Sequence, residues 1–356
     1  MNKTLIKKFI TGCVSFGPFH LTSGETLEKV TLHYESVGPA GAPIILVCHA
    51  LTGNHCTVGT KDAPGWWDGL IGTNKYIDTD KFQVITFNVL GGCDGSTGPT
   101  SLHPRTGERY QADFPAITVR DTVHATYQAL QELQIRKLAA VIGGSLGGMQ
   151  VLEWGLLYPK AMDKLIVLAA TPVFSDYGIA FNHIAASAIK ADPTWNDGYY
   201  KTDMEIKGME IARMIGMVTY RSSDLFSRRF NREKTKDDYS VSTYLDYQGE
   251  KLMRRFDPNS YLSLLNAMNY HDIGNGRGGI KQAVKKYKCP LLAISFENDL
   301  IYEPKQIKEL SEHVSDSFYY HVKTDFGHDG FLTEFDKWGH VIKEFLKTDV
   351  KEVFPK

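Results

Sequence analysis

The run Val141-Ile142-Gly143-Gly144-Ser145-Leu146-Gly147-Gly148 leaves this chain few ways to fold. Residues 138–142 before it are short and apolar, which reads as a strand buried in a parallel sheet. Residues 149–157 after it are apolar with no breaker, which reads as a helix. Between them Gly143 to Gly147 fits Gly-x-Ser-x-Gly, a sharp strand-to-helix turn that presents a serine. Glycines at 143 and 147 keep side chains from colliding in so tight a turn. The Ser145 hydroxyl then points outward as a nucleophile. The amide of Leu146, at a helix start, faces any oxyanion that forms beside it.

At 356 residues the chain has room for one large α/β domain with an insertion. Its 42% apolar and 23% charged residues are those of a soluble globular protein. A formal net charge of −1 gives no pull toward nucleic acid or an anionic membrane. Five scattered cysteines, an odd number in a large chain, fit a reducing cytoplasm. Cys48-His49 and His55-Cys56 look like zinc-ligand pairs, but no second pair stands at a metal-site spacing, so no metal is expected. Ile10-Thr11-Gly12-Cys13 resembles a lipoprotein cleavage site, yet Lys7 and Lys8 leave no apolar segment before it. No run is long enough to span a membrane.

Strand-like runs recur at 30–37, 43–48, 82–89, 138–142, 165–170, 290–296 and 318–322, with helical patterns at 117–135 and 329–346. That alternation predicts a mostly parallel sheet with helices on both faces. It stops at about 171–288, where helices are expected at 180–189, 204–217, 224–230, 244–253 and 261–269. The predicted organisation is an α/β core over 1–172 and 286–356, with residues 173–285 inserted as a helical lid. Within the insertion, Gly274-Asn275-Gly276-Arg277-Gly278-Gly279 spells a dinucleotide fingerprint. A helix rather than a strand precedes it, so it reads as a flexible loop and no nicotinamide is expected.

A serine hydroxyl needs a base. His328 lies in Thr324-Asp325-Phe326-Gly327-His328-Asp329-Gly330, a turn-rich loop after the last strand, where an open α/β sheet displays reactive groups. The supporting acid belongs after a late strand, between serine and histidine in the chain. Asp299 fits, with Glu297 as the second candidate. A second oxyanion amide is expected from the loop Cys48-His49-Ala50-Leu51-Thr52-Gly53, at Leu51.

With these residues placed, the chain resembles the homoserine O-acetyltransferase family of the α/β-hydrolase superfamily over nearly its whole length. The resemblance lies in His49 to Gly53, Pro64-Gly65-Trp66-Trp67, Asn88 to Cys93, Gly95 to Pro99, and Gly143 to Gln150. It continues in Ile211 to Met214, Thr219 to Ser222, and Gly327 to Leu332. It implies an α/β-hydrolase fold and acetyl transfer from acetyl-CoA to the hydroxyl of L-homoserine, toward methionine. Acetyl-CoA is then a substrate and no cofactor is implied. On the same matching Ser145 is nucleophile, His328 base and Asp299 acid, while Arg213 and Asp329 contact the amino-acid acceptor. It also implies a cytoplasmic homodimer formed through the lid. Arg221, Arg228 and Arg229 could face the donor's nucleotide phosphates, but each reads first as surface charge. Asn298 departs from the family, in which many members carry serine. Succinyl transfer, a serine acceptor, an esterase and a silent binding protein on this scaffold are the competing readings.

Overall fold

The computed structural model describes residues 7–201, 205–236 and 238–347. Eight strands form one sheet: β1 (Lys7–Phe16), β2 (Val30–Pro39), β3 (Ile44–Cys48), β4 (Gln83–Phe87), β5 (Ala140–Gly144), β6 (Leu165–Leu168), β7 (Leu291–Phe296) and β8 (Ser317–Val322). Their spatial order is β1-β2-β4-β3-β5-β6-β7-β8. The first two strands run antiparallel to their neighbours and the remainder are parallel. Every residue of β5, β6 and β7 is buried, as strands covered on both faces must be. Alternate residues serve opposite cores. Leu46, Val141 and Leu291 face one side, and Ile45, Ile142 and Leu292 the other.

Helices α1 (Val119–Glu132) and α2 (Leu146–Leu157) cover the first face. Helix α2 is buried from Leu146 through Leu156, an apolar rod under the sheet's centre. After β6 come only helices among the described residues: α3 (Asp176–Lys190), α4 (Lys207–Tyr220), α5 (Ser223–Phe230), α6 (Ser240–Met253), α7 (Pro258–Asn269) and the short α8 (Ile280–Ala283), with 3₁₀ turns. The predicted start of α4 at Met204 lies outside the described residues. Helix α9 (Pro304–His313) follows β7, and α10 (Phe335–Leu346) closes the second face with Trp67 and Leu70.

All seven predicted runs are strands of this sheet. The sequence pattern missed β1 and α9 because neither carries a buried apolar run. Strand β1 is an edge on which Phe16 alone is buried among residues 9–16, and α9 buries only Ile307, Leu310 and Ser311. The predicted helix 329–346 is two elements. A 3₁₀ turn, Gly327–Leu332, precedes α10, and Glu334 between them takes a left-handed φ of 46° that ends helical continuity. No helix among the described residues is long and apolar enough to cross a membrane.

The loop 274–279 is pinned, which corrects the expectation of a flexible connector. Arg277 grips Glu153 of α2 through both carboxylate oxygens, at 2.9 and 2.6 Å. Arg120 adds a third contact at 3.1 Å and binds the carbonyls of Asp272 and Asn275. The Glu153 side chain is 1% exposed, so its charge depends on these partners. Glu153→Ala strands two guanidiniums and is expected to lower unfolding free energy by about 3–5 kcal/mol, read from urea denaturation; an unchanged midpoint would contradict it.

Two buried histidines add a pH dependence. His49 accepts from the Val89 amide through Nε2 at 3.0 Å, so Nδ1 carries the proton toward the Ala50 carbonyl at 2.8 Å. Burial lowers His49 and His271 to about 4. In the unfolded chain each titrates near 6.5, so below that pH the unfolded state binds more protons. Stability therefore falls between about pH 6.5 and 4 and is unaffected by these groups below that window. Each histidine should contribute a loss of roughly 2 kcal/mol by pH 5. Denaturant titrations at pH 7 and pH 5 check this, and equal stability at both would refute it.

Candidate active site

Ser145 sits at the junction of β5 and α2 with φ 59° and ψ −127°, a region that side-chain-bearing residues avoid. The surroundings enforce it. Its amide donates to the Leu168 carbonyl of β6 at 3.0 Å. A Cβ on Gly147 would stand 2.1 Å from the Cys48 carbonyl oxygen, and one on Gly143 only 2.6 Å from the Gly147 backbone. The two glycines let the turn close onto the end of β3.

That closure brings the loop after β3 beside the serine. Leu51 shares a cavity with Ser145 and His328. The amides of Leu51 and Leu146 donate to no protein group among the described residues, so both are available to an oxyanion. Three residues hold the loop. His49 ties it to Val89, Gln150 of α2 donates to the His49 carbonyl at 3.3 Å, and Arg255 donates to the Thr52 carbonyl at 3.0 Å. Sequence pattern alone gave none of them this role, since each acts on backbone distant in the chain.

His328 arrives on the 3₁₀ turn after β8. The Trp67 indole donates to the Phe331 carbonyl at 2.9 Å, and Trp338 to those of Gly330 and Thr333 at 3.2 and 3.1 Å. The imidazole is enclosed by Tyr302, Tyr220 and Phe331, with ring centres at 5.0, 5.6 and 5.3 Å. His328 Nδ1 meets Asp299 Oδ2 at 2.8 Å. Asp299 Oδ1 accepts the amides of Ile301 and Tyr302, both at 2.9 Å. The carboxylate is thus fully bonded although almost wholly buried. Nδ1 is committed, which leaves Nε2 for the cavity shared with Ser145.

The geometry selects Asp299 over Glu297. Asn298, where the sequence departs from its family, adopts φ 61°; asparagine tolerates this left-handed conformation better than most residues, so the departure leaves the acid in place.

Arg213 and Asp329, expected at the acceptor, are arranged differently from one another. Arg213 on α4 lies 5.9 Å from the Tyr220 ring centre and forms no ion pair among the described residues. Asp329 Oδ2 is held by Arg221 Nε at 2.8 Å, and Arg221 also donates to the Tyr244 hydroxyl at 2.7 Å. This corrects the reading of Arg221 as surface charge, because its side chain is 18% exposed and its partner's 12%. The pairing escaped the sequence because 108 positions separate the two residues. Arg228 pairs with Asp325 on the exposed rim, and Arg229 lies 4.5 Å from the Tyr244 ring centre.

Both His49 nitrogens are occupied, and no group of three histidine, cysteine or acidic residues among the described residues could hold a metal ion.

Residues 43–335 match the family model of the alpha/beta hydrolase fold. The chain is 41% identical over 348 residues to the homoserine O-acetyltransferase of Moorella thermoacetica, across 92% of this chain and 93% of that protein. It is 39% identical over 351 residues to the homoserine O-succinyltransferase of Litchfieldella anticariensis, across 92% and 90%. The crystal structure of homoserine O-acetyltransferase from Staphylococcus aureus superposes with a TM-score of 0.82 at 38% identity, covering 96% of both chains. A serine on a strained strand-to-helix turn, a buried acid–histidine pair and these matches lead to one assignment: the chain belongs to the homoserine O-acetyltransferase family of the alpha/beta hydrolase fold.

Proposed function

We propose that this protein carries an acetyl group from acetyl-CoA to the side-chain hydroxyl of L-homoserine, through an ester on Ser145. The observation that carries the reading is the buried Asp299–His328 hydrogen bond, which opens onto the same cavity as Ser145. His328 Nε2 takes the Ser145 proton as Oγ attacks the thioester carbonyl. The amides of Leu51 and Leu146 receive the oxyanion, the C–S bond breaks, and the proton passes to the departing thiolate. The homoserine hydroxyl then attacks the ester while His328 takes its proton and returns it to Oγ. Asp299 fixes the imidazole tautomer and supports the imidazolium without being protonated.

Arg213 is suited to the acceptor's α-carboxylate because its guanidinium has no competing carboxylate. Asp329 Oδ2 is engaged by Arg221, but Oδ1 accepts no hydrogen bond among the described residues and is free to take the ammonium. The cavity supports transfer over hydrolysis. It encloses about 30 Å³, room for little more than one or two waters, under residues of α3 and α4. Substrates would enter as those helices part, a lid function for the insertion. Once bound, an oriented acceptor competes with water through an effective molarity on the order of 10⁵ M or more. The acetyl donor is favoured over succinyl because the lining of the closed cavity beside Ser145 holds no lysine or arginine among the described residues. A succinyl carboxylate there would be buried without a partner.

Three outcomes are expected. Protein quenched after mixing with acetyl-CoA alone should carry an acetyl group on the peptide containing Ser145, and Ser145→Ala should carry none. An unmodified peptide alongside accumulating product would overturn the mechanism. Acetyl-CoA should be used at least about tenfold better than succinyl-CoA, as an unpaired buried charge demands; parity would reverse the donor assignment. Arg213→Ala should raise the homoserine KM without slowing acetylation by the donor, and CoA release insensitive to homoserine in the unaltered protein would indicate a hydrolase instead.

A further inference from the structure

Tyr302 carries a hydroxyl that the reaction above leaves unemployed. Its amide is one of the two that bind Asp299 Oδ1, so the acid fixes where the residue begins. Its ring stacks on His328, with planes 24° apart. The side chain is fully buried, and the hydroxyl lies against Ser145 in the cavity without completing a well-formed hydrogen bond among the described residues. A buried hydroxyl without a partner costs stability. Phenylalanine would fill the same space and stack on the same imidazole at no such cost. An orphaned polar atom of this kind calls for a role in the working enzyme.

Burial, with Asp299 and Tyr220 nearby, raises the phenol's pKa well above its ordinary value. The group stays protonated and serves as a donor. The two half-reactions treat Ser145 Oγ in opposite ways. During acylation Oγ is the nucleophile, and a donor beside it gives no help. During deacylation Oγ is the leaving atom and gathers negative charge, where an oriented donor lowers the barrier. Resting on the acyl-Ser145 reading above, we propose that the Tyr302 hydroxyl donates a hydrogen bond to Ser145 Oγ as the ester breaks, making Tyr302 a catalytic residue of the second half-reaction. The acyl carbon–Oγ bond breaks as the bond to the acceptor oxygen forms. The acceptor's proton travels through His328 Nε2 to Oγ, and Tyr302 keeps its own.

The test uses Tyr302→Phe, which retains the ring on His328, with p-nitrophenyl acetate as acyl donor and homoserine as acceptor. The burst of nitrophenolate reads acylation, and the steady phase reads deacylation. The variant should keep its burst rate, with a thermal midpoint no lower than that of the unaltered protein. Its deacylation should slow about tenfold or more, the loss expected for a transition-state hydrogen bond, and acetyl-Ser145 should accumulate by mass spectrometry. Unchanged deacylation would overturn the proposal, as would equal slowing of both phases, which would reduce the residue to a support for His328. The unaltered protein separates the two ideas. A steady phase accelerated by homoserine, with a variant that behaves identically, removes only the Tyr302 role. No labelled Ser145 in the unaltered protein removes both.

Discussion

Two stretches of backbone touch where the serine turn meets the end of β3, and the rest of the site depends on that contact. Gly147 lies so near the Cys48 carbonyl that a single added methyl carbon would overlap it. The approach has three consequences. It holds Ser145 in a conformation it would not choose alone, starts α2 with its first amide facing outward, and sets the Leu51 loop beside that amide. In the proposed reaction these two donors, from segments almost a hundred residues apart, meet one carbonyl oxygen. Orienting them in advance is what makes such donors effective, since no reorganisation is needed as charge develops.

Burial of polar groups around this contact follows a consistent division. Groups that hold the frame are fully paired: Asp299 uses both oxygens, His49 both nitrogens, and Glu153 both oxygens against two arginines. Groups around Ser145 keep something in reserve among the described residues: the Leu51 and Leu146 amides, Asp329 Oδ1 and the Tyr302 hydroxyl. In a low-dielectric interior an unsatisfied donor or acceptor is expensive, and in the proposed reaction the substrate supplies the missing partner. The helical insertion joins the frame through the same means. Arg221 reaches from the end of α4 to Asp329, next to the imidazole, so the cover over the cavity and the histidine turn are one connected structure.

Much of this was legible in the chain because buried parallel strands are short apolar runs with no need of alternation. Ser145, Asp299 and His328 stand in the turns that follow the carboxyl ends of β5, β7 and β8, so finding the strands nearly found them. Strand β1 was illegible for the opposite reason: its exposed edge residues carry no apolar signal. The 3₁₀ turn at 327–332 hid inside a helical periodicity, since the left-handed Glu334 that interrupts it belongs to a residue type that usually continues helices. Nothing local in the glycine string at 274–279 announced that Arg277 would anchor it to Glu153.

Hydrophobic periodicity and turn chemistry operate over a few neighbouring residues, and the sequence alone was enough for what they govern: the alternation of strands and helices, the strained serine turn, and the loops that carry Asp299 and His328 after late strands. Pairing of charges and the direction of hydroxyls depend on distances between segments far apart in the chain, which only the folded backbone sets. The tertiary structure therefore decided that Asp299 rather than Glu297 meets the imidazole, that Asp329 is shared with Arg221, and that the Tyr302 oxygen is left facing the nucleophile.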